Sequence, residues 1–276
     1  MAKQSVLITG ANSGIGRATA ELLASRDYRV LATMRDPQKG RALAEATAQH
    51  GWDLTILPLD IRQENSVREA FQQAGPLDVL VNNAGFEVWG PIEELTVDDL
   101  VDQFETNVYG TFRCIKAVLP SMRERGSGII VNVSSLQGRI ASPLGGPYCA
   151  SKHALEALSE ALHYEVRHFG VRVHLIEPGT IETAFLDSRR WGSAGEKSSH
   201  YQPLIEQWMD GFSKLQDGLG RAEPGEAAEV ILDAIERGDK LRYPVGADAE
   251  MVFTARKQLD DETFESTMRE QLGLTW

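Results

Sequence analysis

"LITGANSGIG", residues 7–16, decides the fold. Apolar residues run without alternation into Gly10, and Gly14 and Gly16 then open a helical stretch over 15–25. Glycines at such a strand-to-helix turn let the backbone approach a pyrophosphate, whose charge rests against the helix N-terminus. The spacing G-x-x-x-G-x-G differs from the more common G-x-G-x-x-G, so the turn needs support from the rest of the chain.

That support lies downstream. "SVLITG" (5–10), "RVLATM" (29–34), "DLTILPLD" (53–60), "LDVLVNNAG" (77–85), "GIIVNVSS" (128–135), "VRVHLIEPG" (171–179) and "KLRYPVG" (240–246) predict seven strands. Their continuous apolarity is what a parallel sheet covered on both faces requires. Amphipathic stretches at 15–25, 38–50, 64–74, 97–122 and 148–169 fall between them. This alternation predicts a doubly wound, Rossmann-type α/β sheet with helices on both faces, in a single domain over 1–276. Residues 184–222 break the rhythm and are expected to form a mobile lid with short helices. The tail 257–272 is expected to be one charged amphipathic helix.

Bulk properties exclude several classes. The formal net charge of -12 disfavours nonspecific nucleic-acid binding and anionic membrane surfaces. Two cysteines, Cys114 and Cys149, fit reduced structural thiols in a cytoplasmic protein. No secretory signal or long apolar run is visible. The histidines show no metal spacing; Glu160 and His163 form a lone E-x-x-H, and no metal is expected.

The second strand ends "ATMRDP". Sites for NAD(H) usually place an acid at this strand end for the ribose hydroxyl. Here Met34 stands there and Arg35 follows. A guanidinium suits a 2′-phosphate, which points to NADP(H), with Ser13 as a second phosphate contact. The NAD(H) alternative makes Arg35 a solvated residue and Asp36 the ribose acid.

With these residues assembled, the chain resembles the short-chain dehydrogenase/reductase family in its compact single-domain branch, over roughly residues 4 to 185. "TGANSGIG" is similar to the family's cofactor loop, which implies contacts from Gly10, Asn12, Ser13, Gly14, Ile15 and Gly16. Asp60 and Ile61 match the pair that contacts adenine, and Asn83 and Gly85 belong to its "NNAG". Pro178, Gly179, Ile181 and Thr183 resemble the segment holding the nicotinamide. Asn107, Ser135, Tyr148 and Lys152 match the catalytic set, Tyr148 and Lys152 also touching cofactor. The finer likeness is to hydroxysteroid and retinol dehydrogenase-like members.

The chemistry explains the spacing of Tyr148 and Lys152. Hydride transfer to a carbonyl leaves an oxyanion that needs a proton, and the reverse needs a base. A phenol near pKa 10 needs about 4 kcal/mol of differential stabilisation to titrate near neutrality. One positive charge about 4 Å away supplies about that much at an effective dielectric near 20. Residues four apart share a helix face, so Lys152 is placed to lower the Tyr148 pKa. The resemblance implies that Ser135 orients the substrate oxygen and that Asn107 holds a water linking Lys152 to solvent.

Ligands of such sheets bind beyond the carboxyl ends of the strands. Phe86, Trp89, Leu136, Leu144, Phe185 and Trp191 are therefore expected to line a pocket for a bulky apolar carbonyl or alcohol, with Val88, Ile140 and Leu186 also within reach. Arg139, Arg189 and Arg190 would instead select a carboxylate or an acyl-carrier phosphate, the mark of a β-ketoacyl thioester reductase. A dinucleotide-sensing regulator without turnover is the alternative from another class. The family likeness implies a homodimer or homotetramer through helices 97–122 and 148–169.

Overall fold

A computed structural model describes residues 3–185, 189–193 and 200–275. In chain order, β1 (Ser5–Thr9), α1 (Gly14–Ser25), β2 (Arg29–Met34), α2 (Arg41–His50), β3 (Leu54–Pro58), α3 (Glu64–Ala74) and β4 (Val79–Asn82) make the first half. There follow β5 (Val88–Trp89), α4 (Val97–Phe104), α5 (Thr111–Arg125), β6 (Gly128–Val133), α6 (Gly146–Val166) and β7 (Val171–Pro178). Last come β8 (Arg190–Trp191), α7 (Gln202–Leu219), α8 (Pro224–Arg237), β9 (Arg242–Val245), α9 (Ala247–Gln258) and α10 (Asp261–Gln271).

Seven strands form one sheet in the order β3-β2-β1-β4-β6-β7-β9, every pair parallel. All seven expected strands are there. The alternation of side chains along a strand sends Val6 and Ile8 into one core layer with α1 and α8, and Leu7 into the other with α3 and α5. Both layers are apolar, which is why the strands read as unbroken hydrophobic runs. The chain builds outward from β1 to β3, then crosses back so that β4 flanks β1 on its other side. Between β1 and β4 the connections diverge and leave a crevice at the carboxyl ends.

Three expectations change. The stretch 97–122 is not one helix: a π-helical turn, Glu105–Gly110, separates α4 from α5. The tail helix, α10, starts at Asp261 and not at 257, because Asp260 caps it by accepting a hydrogen bond from Thr263 N at 2.8 Å, and residues 257 and 258 end α9. Within 184–222, the described residues hold one long helix, α7, instead of several short ones. Residues 186–188 and 194–199, with Leu186 among them, lie outside the described residues.

Behind β7 and β9, Glu177 is 1% exposed and lies 3.5 Å from Arg139 and 3.6 Å from Arg242, which also pairs with Glu156 and Glu160. The E-x-x-H glutamate is thus spoken for, and no group of metal-binding side chains occurs among the described residues. Burial, then the like charge of Glu156, pushes the Glu177 carboxyl up to about 7 from 4.5. The folded protein therefore holds a proton that the unfolded chain has released. Stability from this group is full below 4.5 and is lost as pH rises through about 7. A Glu177→Gln variant is expected to flatten that fall. Melting curves from pH 4.5 to 8 should converge at the acidic end and leave the variant several degrees higher at the alkaline end.

Candidate active site

A cavity of about 900 Å³ opens at the carboxyl ends of the strands. The glycine loop forms one wall. Gly10 and Gly14 take φ of +68° and +53°, a region that disfavours side chains. A Cβ at Gly10 would meet Ala84 Cα at 2.9 Å, and one at Gly16 would meet Asn83 Nδ2 at 2.4 Å. Gly16 does not line the cavity, contrary to expectation; its role is to let α1 pack against Asn83. The Asn83 amide donates to Thr9 O and Gly10 O, so it braces the loop even as it lines the cavity. Asn82 ties β4 to β6 through Asn132.

The head of α1 fits an anion. Its N-cap, Ser13, is extended and caps nothing with its side chain, and no acidic residue occupies the first turn. The N–H groups of a helix start have no intrahelical partner. Asn12, Ser13, Gly14, Ile15 and Arg35 surround this end of the cavity. Asp36 is turned to another task, capping the turn at Pro37–Gly40 through Gln38 N at 3.0 Å. Asp60, Ile61 and Gly85 line the next stretch, with Asp60 also accepting from Arg62 N. Pro178, Gly179, Ile181 and Thr183 close the opposite side. A Cβ at Gly14 would reach Thr183 Cγ2 at 3.2 Å, so loop and β7 exit face each other closely.

Ser135, Tyr148 and Lys152 converge at the inner end. Ser135 leaves β6 close enough to the Tyr148 phenol to favour its ionised form, while its Oγ accepts from Gln137 N at 3.1 Å. Tyr148 and Lys152 lie one turn apart near the start of α6, both buried, the ammonium 5.6 Å from the phenol ring centre. Lys152 Nζ donates to Val133 O at 2.8 Å. Burial pulls the Lys152 pKa down to about 8 from 10.5, with Glu156 opposing. The Tyr148 pKa goes the other way from the charge argument. Burial and then the negative charge of Glu87 raise it above 10. Desolvation disfavours the charged form of each group, and here it outweighs their mutual help.

Asn107 does not line the cavity. Held by the π-helical turn, it donates to Phe86 O and Ser151 Oγ at 3.1 Å each and accepts from Phe86 N at 3.2 Å. It latches the segment after β4 to the start of α6. Wide turns of this kind recur where a helix must aim a functional group off its regular spacing.

At the substrate end Phe86, Leu136 and Phe185 line the cavity, joined by Phe212 from α7. Trp89, Leu144 and Trp191 do not. Trp89 and Leu144 are buried in a cluster with Trp208 and Leu272, and Trp191 is 49% exposed, edge-on to Trp89 at 4.6 Å. Aromatic residues under a covering segment serve as packing or as lining with the same composition. The three arginines carry internal ion pairs: Arg139 with Glu177, Arg189 with Glu87, Arg190 with Asp99 and Asp102. Glu87, which also lines the cavity, was not singled out by sequence. Its partner lies 102 residues away, and no local pattern marks either.

Comparison with known proteins matches the fold and most of the length of the chain. The family model for short chain dehydrogenases matches residues 4–193. The chain is 43% identical over 257 residues to human 17-beta-hydroxysteroid dehydrogenase type 1, covering 88% of this chain and 77% of that protein. It is 39% identical over 275 residues to 3-ketodihydrosphingosine reductase of Bacteroides thetaiotaomicron, covering 98% of both. A crystal structure of a short-chain dehydrogenase from Streptomyces avermitilis superimposes with a TM-score of 0.81 at 33% identity, covering 98% of this chain and 97% of that one. A match along most of the chain means that the protein belongs to the short-chain dehydrogenase/reductase family of oxidoreductases.

Proposed function

We propose that the protein is an NADP(H)-dependent oxidoreductase that interconverts a ketone or aldehyde and an alcohol on a bulky, largely apolar substrate. The convergence of Ser135, Tyr148 and Lys152 at the apolar end of a cavity whose other end meets an uncapped helix start carries this reading. For the 2′-phosphate, the support is Arg35 lining the cavity while Asp36 caps its own turn. The head of α1 would hold the pyrophosphate; Lys152 and Tyr148, with Ile181 and Thr183 opposite, would hold the nicotinamide end.

The bound nicotinamide supplies or accepts the hydride. The residues of the chain do the rest. Ser135 orients the carbonyl oxygen toward Tyr148. The Tyr148 O–H bond breaks as a new O–H bond forms on that oxygen, and the phenolate recovers its proton by way of Lys152. Because Lys152 titrates at about 8, it changes charge in the range where the enzyme would work. Phe86, Leu136, Phe185 and Phe212 keep water from the reacting carbon.

A β-ketoacyl thioester reductase fits less well, because Arg139, Arg189 and Arg190 are each already paired with an acid of the chain. A non-catalytic sensor would have no use for the Ser-Tyr-Lys set. Residues 184–222 serve as the lid in this reading. A homo-oligomer is supported by apolar side chains left exposed on α4, α5 and the turn between them: Val97 and Val101, then Tyr109 and Phe112. No helix among the described residues is long and apolar enough to cross a membrane, which fits the cytoplasmic placement.

NADPH consumption against a ketosteroid, a long-chain aliphatic ketone, an aryl ketone, retinal and a β-ketoacyl thioester tests the reading. Turnover of a bulky ketone, faster with NADPH than with NADH, is expected. Turnover confined to the thioester, or none at all while NADPH binds, would overturn it.

A further inference from the structure

Glu87 is a carboxylate in the wrong place for comfort. Its side chain is 3% exposed and lies in the wall of the cavity beside Tyr148. Oε2 accepts from Arg189 Nε at 2.7 Å, and Oε1 accepts nothing among the described residues. A buried charge is costly unless paired, so the guanidinium of Arg189 is what makes this carboxylate tolerable. Arg189 also lies 5.2 Å from the ring centre of Trp89.

The route by which Arg189 arrives matters. It precedes β8, which pairs with β5 over only two residues, Val88 with Arg190 and Trp89 with Trp191. Arg190 N donates to Glu87 O at 2.9 Å, and Gly192 N donates to Trp89 O at 3.0 Å. So short a ribbon is marginal by itself, and it is pinned from one side by the Arg190 pairs with Asp99 and Asp102. Four charged or titratable groups, Glu87, Arg189, Cys149 and Lys152, act on the Tyr148 hydroxyl or ring, together with the neutral Ser135 hydroxyl. Lys152 and Cys149 sit on α6, the helix that carries the tyrosine, and Ser135 follows β6. Glu87 and Arg189 stand at the heads of the two strands of the ribbon, β5 and β8, and Arg189 comes with β8.

We propose that Arg189, seated on Glu87 by the β5–β8 ribbon, gates the Tyr148 proton. With the guanidinium in place, the phenol can pass its proton to the substrate oxygen. With it withdrawn, Glu87 holds the proton on Tyr148 wherever the pH is high enough to keep that buried carboxyl ionised, burial having raised its pKa. Proton transfer leaves a phenolate, and that new negative charge grows beside Glu87. Arg189 neutralises the repulsion at the moment the Tyr148 O–H bond breaks. Seating of the ribbon over bound substrate thus also completes the acid. Both residues act through Tyr148 and are positioning residues for it. The inference rests on the carbonyl-reductase reading above.

The test is the pH profile of alcohol oxidation, which needs the phenolate, in the full-length protein with its best substrate. Arg189→Gln is expected to move the acidic limb upward by about one pH unit, because Glu87 is left uncompensated. Glu87→Gln is expected to move it downward by a similar amount, and the double variant to return it near the wild-type position. Arg189→Lys keeps the charge and should restore most of the shift. If Arg189→Gln melts early, Glu87→Gln still carries the comparison, because it alone must move the limb downward while the double variant returns it. Limbs that stay fixed, or that move the same way in both single variants, would overturn the gate and leave the reductase reading intact. A wild-type protein without turnover on any carbonyl or alcohol would overturn both.

Discussion

Tyr148→Phe is expected to cut kcat for ketone reduction by roughly 10²- to 10⁴-fold, the contribution typical of a positioned proton donor. KM and cofactor affinity should hardly move, since the ring remains to fill the same buried space and only the hydroxyl is lost. The measurement is NADPH consumption at saturating ketone, with tryptophan fluorescence quenching to follow cofactor binding. Proton donation does not need a phenolate at rest. Burial keeps Tyr148 protonated well past neutrality, which is the form that donates to a carbonyl oxygen. Reduction should therefore hold its rate until Lys152 loses its proton at about pH 8, while oxidation should climb toward alkaline pH. A Phe variant that keeps most of its kcat would mean that the proton comes from elsewhere and that the convergence with Ser135 is structural.

The second large effect is on cofactor choice. Arg35→Ala is expected to weaken NADPH binding by about 10- to 100-fold, the worth of one charged hydrogen bond, and to leave NADH nearly unchanged. Asp36 will not take over as a ribose acceptor, because its carboxylate is committed to Gln38 N. Adding an acid at position 34, a residue of the cavity lining at the end of β2, is the change that should turn the preference toward NADH. Titration of both cofactors against wild type, Arg35→Ala and Met34→Asp decides it. Equal losses for the two cofactors in Arg35→Ala would place the guanidinium on the shared pyrophosphate instead.

The seven strands were legible because parallel strands covered on both faces cannot hide their composition: Val6, Leu7 and Ile8 are buried in alternate layers, yet all three are apolar. The glycine loop, Asp60, Asn83 and the Tyr148–Lys152 pair were legible because each sits at a strand end or a helix start, where sequence order dictates position. Less could be read where a residue's partner is remote. Trp89 and Leu144 looked like pocket lining, and only the packing of Trp208 and Leu272 onto them turned them into core. Glu87 and Arg189 carried no sign of each other. The sign of the Tyr148 shift was missed for a related reason. The charge argument counted Lys152 and had no means of counting the desolvation of both groups. The later start of the tail helix could have been found, since Asp260 followed by acidic residues and Thr263 is a helix-start signal.

The π-helical turn between α4 and α5 amounts to one residue too many in a helix that would otherwise run on. Deleting a single residue from Glu105–Gly110 would give the chain a more regular helix, yet turn everything before it by about 100° relative to everything after. Asn107 would leave Phe86 and Ser151, and the apolar side chains of α4 and α5 would no longer share one outer face. What is inherited at this spot is a count of residues as much as their identity. A relative that kept every catalytic side chain but lost that one position would keep the fold and forfeit the alignment of its active site, a lesion that no comparison of catalytic residues alone would detect.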